Sequence, residues 1–211
     1  MLTHLLFVST IFSFLASEAW QEVSFPDIDP NSTSYHGGVL RVEVDHSASP
    51  LLHLFSERKE VRSLRITGRV SGDWKFSTSH DWSASPDDAL LRVGLIENGN
   101  RRLNALEKLA APNWLKDLDK ATQSFGNGIG TIRCFHLMPE KKWIGQTRTN
   151  PNADIFLETV AASPSEDGAF EIEVQLDSPI ESLGIWLLAD GDDSGASFTV
   201  EIHSLELNLV P

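Results

Sequence analysis

The chain has 211 residues, 41% of them apolar, and a formal net charge of −13. That length fits one domain with its own core, burying roughly 70% of the surface of the unfolded chain without a covalent staple. The acidity argues against nucleic acid and against anionic membrane surfaces, which would be repelled; cations, neutral sugars and basic proteins remain compatible with it.

The first nineteen residues read as an export signal. Leu5 to Leu15 is apolar apart from Ser and Thr, and Ala16-Ser17-Glu18-Ala19 places small residues where a signal peptidase reads. An apolar run this short is no membrane span, which needs about 20 residues. Its n-region is thin, with only His4 and the α-amino group able to carry positive charge. A buried N-terminal strand or helix is the competing reading. The expectation is therefore a signal peptide over 1–19 and a single domain over 20–211. That domain would be exported to the periplasm or beyond, with no membrane insertion after cleavage.

Beyond the signal, period-two patterning dominates. Leu40, Val42 and Val44 alternate with Arg41, Glu43 and Asp45, and Leu64, Ile66, Gly68 and Val70 alternate with Arg65, Thr67 and Arg69. A denser apolar run over 89–96 closes on Asn98-Gly99, a pair suited to a tight turn. The segment 101–120 is the exception. Leu103, Leu106 and Leu109 fall at helical spacing, and Pro112 should split the stretch and sit in the first turn of a second helix. Its expected place is a plug over one end of the fold, or else the wall of a cleft.

Later strands are expected over 129–137, 155–161, 169–176, 183–188 and 197–209. Cys134 lies in the first of these and, having no partner, reads as a core residue. In the last, Phe198, Val200 and Ile202 have one parity and Leu205, Leu207 and Leu209 the other, which demands a bulge near His203-Ser204. Eight or nine such strands predict a mostly β fold, a two-sheet antiparallel β-sandwich of jelly-roll type with a short helical insertion.

Three places carry residue types suited to a ligand. Asp190-Gly191-Asp192-Asp193-Ser194-Gly195 matches an EF-hand expression, with Glu201 at the twelfth position. Strands rather than helices flank it, and at about 3.3 Å per residue Glu201 would lie roughly 20 Å beyond Gly195. The EF-hand is excluded. A simpler calcium site built on Asp190, Asp192 and Ser194 stays open, against the alternative of a solvated turn.

The second place is Trp74 with His80, Asp81 and Trp82, aromatic faces beside polar groups, as sugar rings require; the competing role is pinning a loop to the core. The third is Asp87-Asp88 before Ala89, whose adjacent side chains point to opposite faces and so form no carboxylate pair with each other. Asp88 is retained as a ligand-binding candidate. No catalytic motif is present: there is no G-x-S-x-G elbow, no H-E-x-x-H and no cysteine cluster.

Two stretches, Pro86-Asp87-Asp88-Ala89-Leu90-Leu91-Arg92-Val93 and Leu188-Ala189-Asp190-Gly191-Asp192-Asp193-Ser194-Gly195-Ala196, resemble elements of a bacterial domain family of unknown function. Its exported members look like galactose-binding-type β-sandwiches. The resemblance implies the sandwich and no activity. The expected function is a non-catalytic binding module for a glycan, with a calcium-stabilised loop. The alternatives are a carbohydrate-active hydrolase or lyase using acidic residues, and an interaction domain that binds another protein of the cell envelope.

Overall fold

A computed structural model of the protein describes residues 8–12, 19–74, 76, 82, 88–123, 128–151 and 153–210. His80, Asp81, Asp87 and most of the expected signal segment lie outside the described residues.

The strands are β1 (Val8–Phe12), β2 (Gln21–Glu22), β3 (Ser32–His36), β4 (Val39–Asp45), β5 (Leu51–Asp73), β6 (Ala89–Arg101), β7 (Ile129–Leu137), β8 (Thr147–Thr149), β9 (Phe156–Ala162), β10 (Ala169–Asp190) and β11 (Ser197–Leu209). Two helices, α1 (Ala105–Ala110) and α2 (Asn113–Thr122), lie between β6 and β7. Hydrogen bonding links the strands in the order β3-β4-β11-β5-β10-β6-β7-β9-β8, with β1 on β11 and β2 on β5.

Two long strands make one bonded ladder into two layers. β5 and β10 run 23 and 22 residues, far beyond an ordinary strand. The second half of β5 pairs with β11 and with the start of β10, whereas its first half pairs with the end of β10, which in turn pairs with β6. Register shifts between Gln175 and Ile180 and between Ser182 and Gly184 break the β10 ladder at this passage. Pro179, with no N–H to donate, falls in the first of them. Bulges of this kind bend and twist a strand, letting the two expected strands over 169–176 and 183–188 run on as one.

The inward faces of both layers meet in the main core. Leu40, Val42 and Val44 of β4, Leu64 and Ile66 of β5 and Val200 and Ile202 of β11 come from one layer; Val93 and Leu95 of β6, Phe135 of β7 and Ile185 and Leu187 of β10 come from the other. This is the mostly β, sandwich-like architecture that the alternation predicts. The bulge expected near His203-Ser204 is present as a register shift between Ile202 and Ser204.

Three details depart from expectation. β7 and β9 pair in parallel, because residues 138–155 between them are long enough for a crossover and carry β8 to the far side of β9. Asn98-Gly99 is no turn. β6 continues through it to Arg101 with an irregular register, and Gly99 is needed because a Cβ there would lie 2.4 Å from the Gly130 Cα. Lastly, the helical insertion covers a sheet face instead of plugging an end. Trp114 and Leu118 of α2 pack over Ile96, Ile132, Cys134 and Trp186 on the outer face of the second layer, joined by Val23 and Ala48, with Phe25 and Ile28 partly buried against them.

Pro112 separates the helices as expected, standing at the N-cap of α2. Asn104 caps α1 by accepting from the N–H groups of Leu106 and Glu107, and Glu107 returns a carboxylate to the Asn104 N–H. α1 buries none of its residues; Leu103 is buried, but Leu106 and Leu109 are 78% and 81% exposed. Val8–Phe12, within the expected signal segment, pairs as β1 with Leu205–Leu209 of β11. Among the described residues no helix is long and apolar enough to cross a membrane.

Candidate functional site

The site begins with the parity of β10. From Ile185 to Ala189, alternate residues enter the main core, which turns Trp186 and Leu188 to the outer face and Asp190 with them. Their partners on β6 are Gly94 opposite Trp186, Arg92 opposite Leu188 and Ala89 opposite Asp190. Gly94 leaves room for the indole: a Cβ there would lie 3.0 Å from Cys134 Sγ and 3.2 Å from Trp186 Cβ. Arg92 Nη2 forms an ion pair with Asp190 Oδ2 at 2.8 Å, with the two side chains only 7% and 6% exposed.

After Asp190 the chain arches from one layer to the other. The arch folds on itself through Ala196 N–H to Gly191 O, at 3.0 Å. Asp88 fastens it, accepting N–H groups from Ser194 at 2.6 Å and Asp193 at 3.3 Å. Asn31 holds the strand end from outside, donating to the Ala189 carbonyl at 2.8 Å while accepting from Ser47 Oγ at 2.7 Å. The outcome is a compact group of acids: carboxylate oxygens of Asp88, Asp190 and Asp192 lie within 4.8 Å of one another. Asp88 and Asp190 are buried, and Asp192 is half-buried.

Asp190 and Asp192 also line a cleft of about 400 Å³ between this arch and the helical cover. Phe25, Trp114, Phe156 and Trp186 form its apolar wall, and Arg92 and Asn150 add polar groups. Trp114, Phe156 and Trp186 form a mutual cluster, their ring centroids 5.5 to 5.6 Å apart. Such a cavity, mostly apolar with a few convergent polar groups, is the usual form of a small-ligand site.

Asn150 joins the cleft to a buried polar row. Its side chain donates to Glu158 at 2.8 Å, and Arg148 Nε donates to the same carboxylate at 2.7 Å. His136 Nε2 lies 3.6 Å from Glu158. Burial, and then the nearby Arg92 and Arg148 guanidinium groups, hold the His136 imidazole well below its ordinary pKa, so it is neutral at pH 7. Over this row sits Trp82, with the Arg148 guanidinium 4.4 Å from its ring centre and its backbone carbonyl accepting from Arg148.

The structure therefore redistributes the expected site residues. Asp190, Asp192 and Ser194 share the arch, and Asp88 joins them from the start of β6. Ser194 contributes its backbone N–H to Asp88. Glu201 is remote from the arch and pairs with Arg41 at 2.9 Å. Trp82 is 1% exposed and packs with Ala89, Met138 and Val160, the position expected of an aromatic that pins a loop to the core. Trp74 is half-buried, packs against the main core and borders a separate pocket with Lys141, Pro164 and Ser165.

The aromatic wall beside the acids comes instead from Phe25, Trp114, Phe156 and Trp186. None of these stood out in the sequence, because Trp114 reads as the apolar face of a helix and Trp186 as part of a core strand. Glu158, His136 and Arg148 were equally silent, lying on strands whose pairing alone brings them together.

No protein-family model matches this chain, and no curated protein matches its sequence. Solved structures that it resembles include a carbohydrate-binding module of family 29, at 10% identity and TM-score 0.40, with 96% of this chain and 88% of that one covered. A low-affinity xylan-binding module of family 86 from Roseburia intestinalis aligns at 10% identity and TM-score 0.37, covering 96% of both chains. Winged bean acidic lectin in complex with methyl-α-D-galactose aligns at 12% identity and TM-score 0.42, with 96% of this chain and 99% of that one covered. Likeness at this level does not bear on what this chain binds.

Proposed function

We propose that this protein is an exported, non-catalytic glycan-binding module whose site is the cleft beneath the helical cover. The observation that carries the reading is the composition of that cleft: half-buried Phe25 and Phe156, backed by the buried Trp114 and Trp186, beside Arg92, Asn150, Asp190 and Asp192. Sugar rings present apolar C–H faces edged with hydroxyl groups, so aromatic side chains beside hydrogen-bonding ones complement them. Tryptophan fluorescence titration against a broad panel of oligosaccharides tests it. A saturable change, abolished in Trp114→Ala, supports the reading; a flat response across the panel refutes it.

A calcium ion at Asp88, Asp190 and Asp192 belongs to the same proposal. Three carboxylates against the Arg92 guanidinium leave two negative charges uncompensated, which one divalent cation balances. All the donor atoms are hard oxygens, the preference of calcium. Their separations fit as well, since two ligand atoms at 2.3–2.6 Å from a shared ion are at most about 5 Å apart. Although Asp88 already accepts two N–H groups and Asp190 one guanidinium contact, a carboxylate has about four lone-pair sites, so acceptor capacity remains. A melting temperature that is unchanged between EDTA and millimolar calcium would remove the ion from the proposal.

A further inference from the structure

The acidic group and the aromatic cleft share two residues, Asp190 and Asp192. From this we infer that the bound cation is part of the sugar-recognition surface: two adjacent hydroxyl groups of a neutral saccharide complete its coordination shell while the ring packs on the aromatic wall. This inference rests on the glycan-binding reading above and assigns to it a ligand class, sugars with a free vicinal diol.

Coordination number is the first argument. Calcium takes six to eight oxygen ligands, and three carboxylates supply between three and six. Asp88 and Asp190 are buried and fixed by their partners, but Asp192 is half-buried, so the unfilled positions face the cleft it lines. The second argument is independent of the acids. Trp186 lines the same cleft, is 1% exposed, and its Nε1 has no hydrogen-bond partner among the described residues. An indole N–H without an acceptor is a polar cost in this wall, as it is for Trp82 and Trp143 elsewhere, and a sugar hydroxyl or ring oxygen reaching Trp186 Nε1 would remove it. Charge supplies the third. With the cation in place, the carboxylates of Asp88, Asp190, Asp192 and Asp193 against one guanidinium and two added positive charges leave a single negative charge, which suits a neutral saccharide and disfavours a uronate or sulfate.

Terbium, a luminescent stand-in for calcium, reads the coordination shell directly. The purified protein is titrated with calcium alone, then with xylotetraose, mannotetraose, cellotetraose and galactotetraose in calcium or in EDTA. Luminescence lifetimes of the terbium form in H₂O and D₂O then count metal-bound waters with and without sugar. The expected result is that a tetraose binds in calcium and loses at least about tenfold in affinity in EDTA. The count of bound waters should fall by about two when that sugar is added. Asp192→Asn, at a half-buried position where the fold is spared, should reproduce the affinity loss in calcium.

Sugar binding that persists in EDTA yet disappears in Trp114→Ala would overturn the inference and leave the cleft reading standing. Sugar binding that leaves the water count unchanged would also overturn it, since the ion would then be structural only. Absence of binding by every tetraose under both conditions would bring down the inference and the cleft reading together.

Discussion

Replacing Arg92 with methionine keeps most of the side-chain volume and removes the guanidinium that lies 2.8 Å from Asp190. Both side chains are less than 10% exposed, so this is a buried pair, and removing one partner of such a pair costs about 3–5 kcal/mol through the charge left behind. The guanidinium charge also attracts Asp88 and Asp192, whose carboxylate oxygens lie within 4.8 Å of those of Asp190, so its removal should not fall below that range. Urea denaturation at pH 7, followed by tryptophan fluorescence, should show the parent more stable by about 3–5 kcal/mol in EDTA. Calcium should stabilise the variant more than the parent, because the ion then meets three carboxylates with no guanidinium beside them. In the double variant with Asp190→Asn, the two costs should fall well short of additive. A loss below about 1 kcal/mol for Arg92→Met, the level of a solvated surface pair, would refute the argument.

Trp82→Ala should behave as a core truncation, costing about 3–5 kcal/mol in the same denaturation assay, with glycan affinity per folded molecule unchanged; a selective loss of affinity would return Trp82 to the binding site. His136, held neutral by burial, makes stability pH-dependent: its folded pKa lies below the unfolded value near 6.5, so the folded state binds fewer protons. Stability is thus highest above pH 6.5 and falls by about 1.4 kcal/mol per pH unit as pH drops from there toward the folded value. His136→Gln should flatten that slope in urea titrations between pH 7 and 5, and an unchanged slope would assign it to other groups. Gly94→Ala places a methyl group 3.0 Å from Cys134 Sγ and Ile132 Cγ2; thermal unfolding should register about 1–3 kcal/mol of overpacking.

The strands were legible because burial of one face writes itself into the chain at period two. Leu40, Val42 and Val44 could be assigned to a core, and the parity slip between Ile202 and Leu205 announced its bulge, without any knowledge of partners. Pro112 likewise had to interrupt the helix, since a missing N–H is a local fact. The acids at Asp190 and Asp192 were visible because three carboxylates within four residues repel one another in any fold that brings no cation to them.

What sequence order could not carry was partnership across the sheet. Asn98-Gly99 has the chemistry of a turn, and only the close approach of the Gly130 backbone decides that it lies in a strand. Asp88 reaches the arch because β6 and β10 are neighbours, and Arg92 meets Asp190 for the same reason. Trp114 and Trp186 are 72 residues apart in numbering, and their alternation looks the same whether the covering layer fits tightly or leaves a cleft. Period and parity are properties of one strand, whereas a cavity is a property of what packs over it, and the packing of α2 on the outer face exists only in the folded chain.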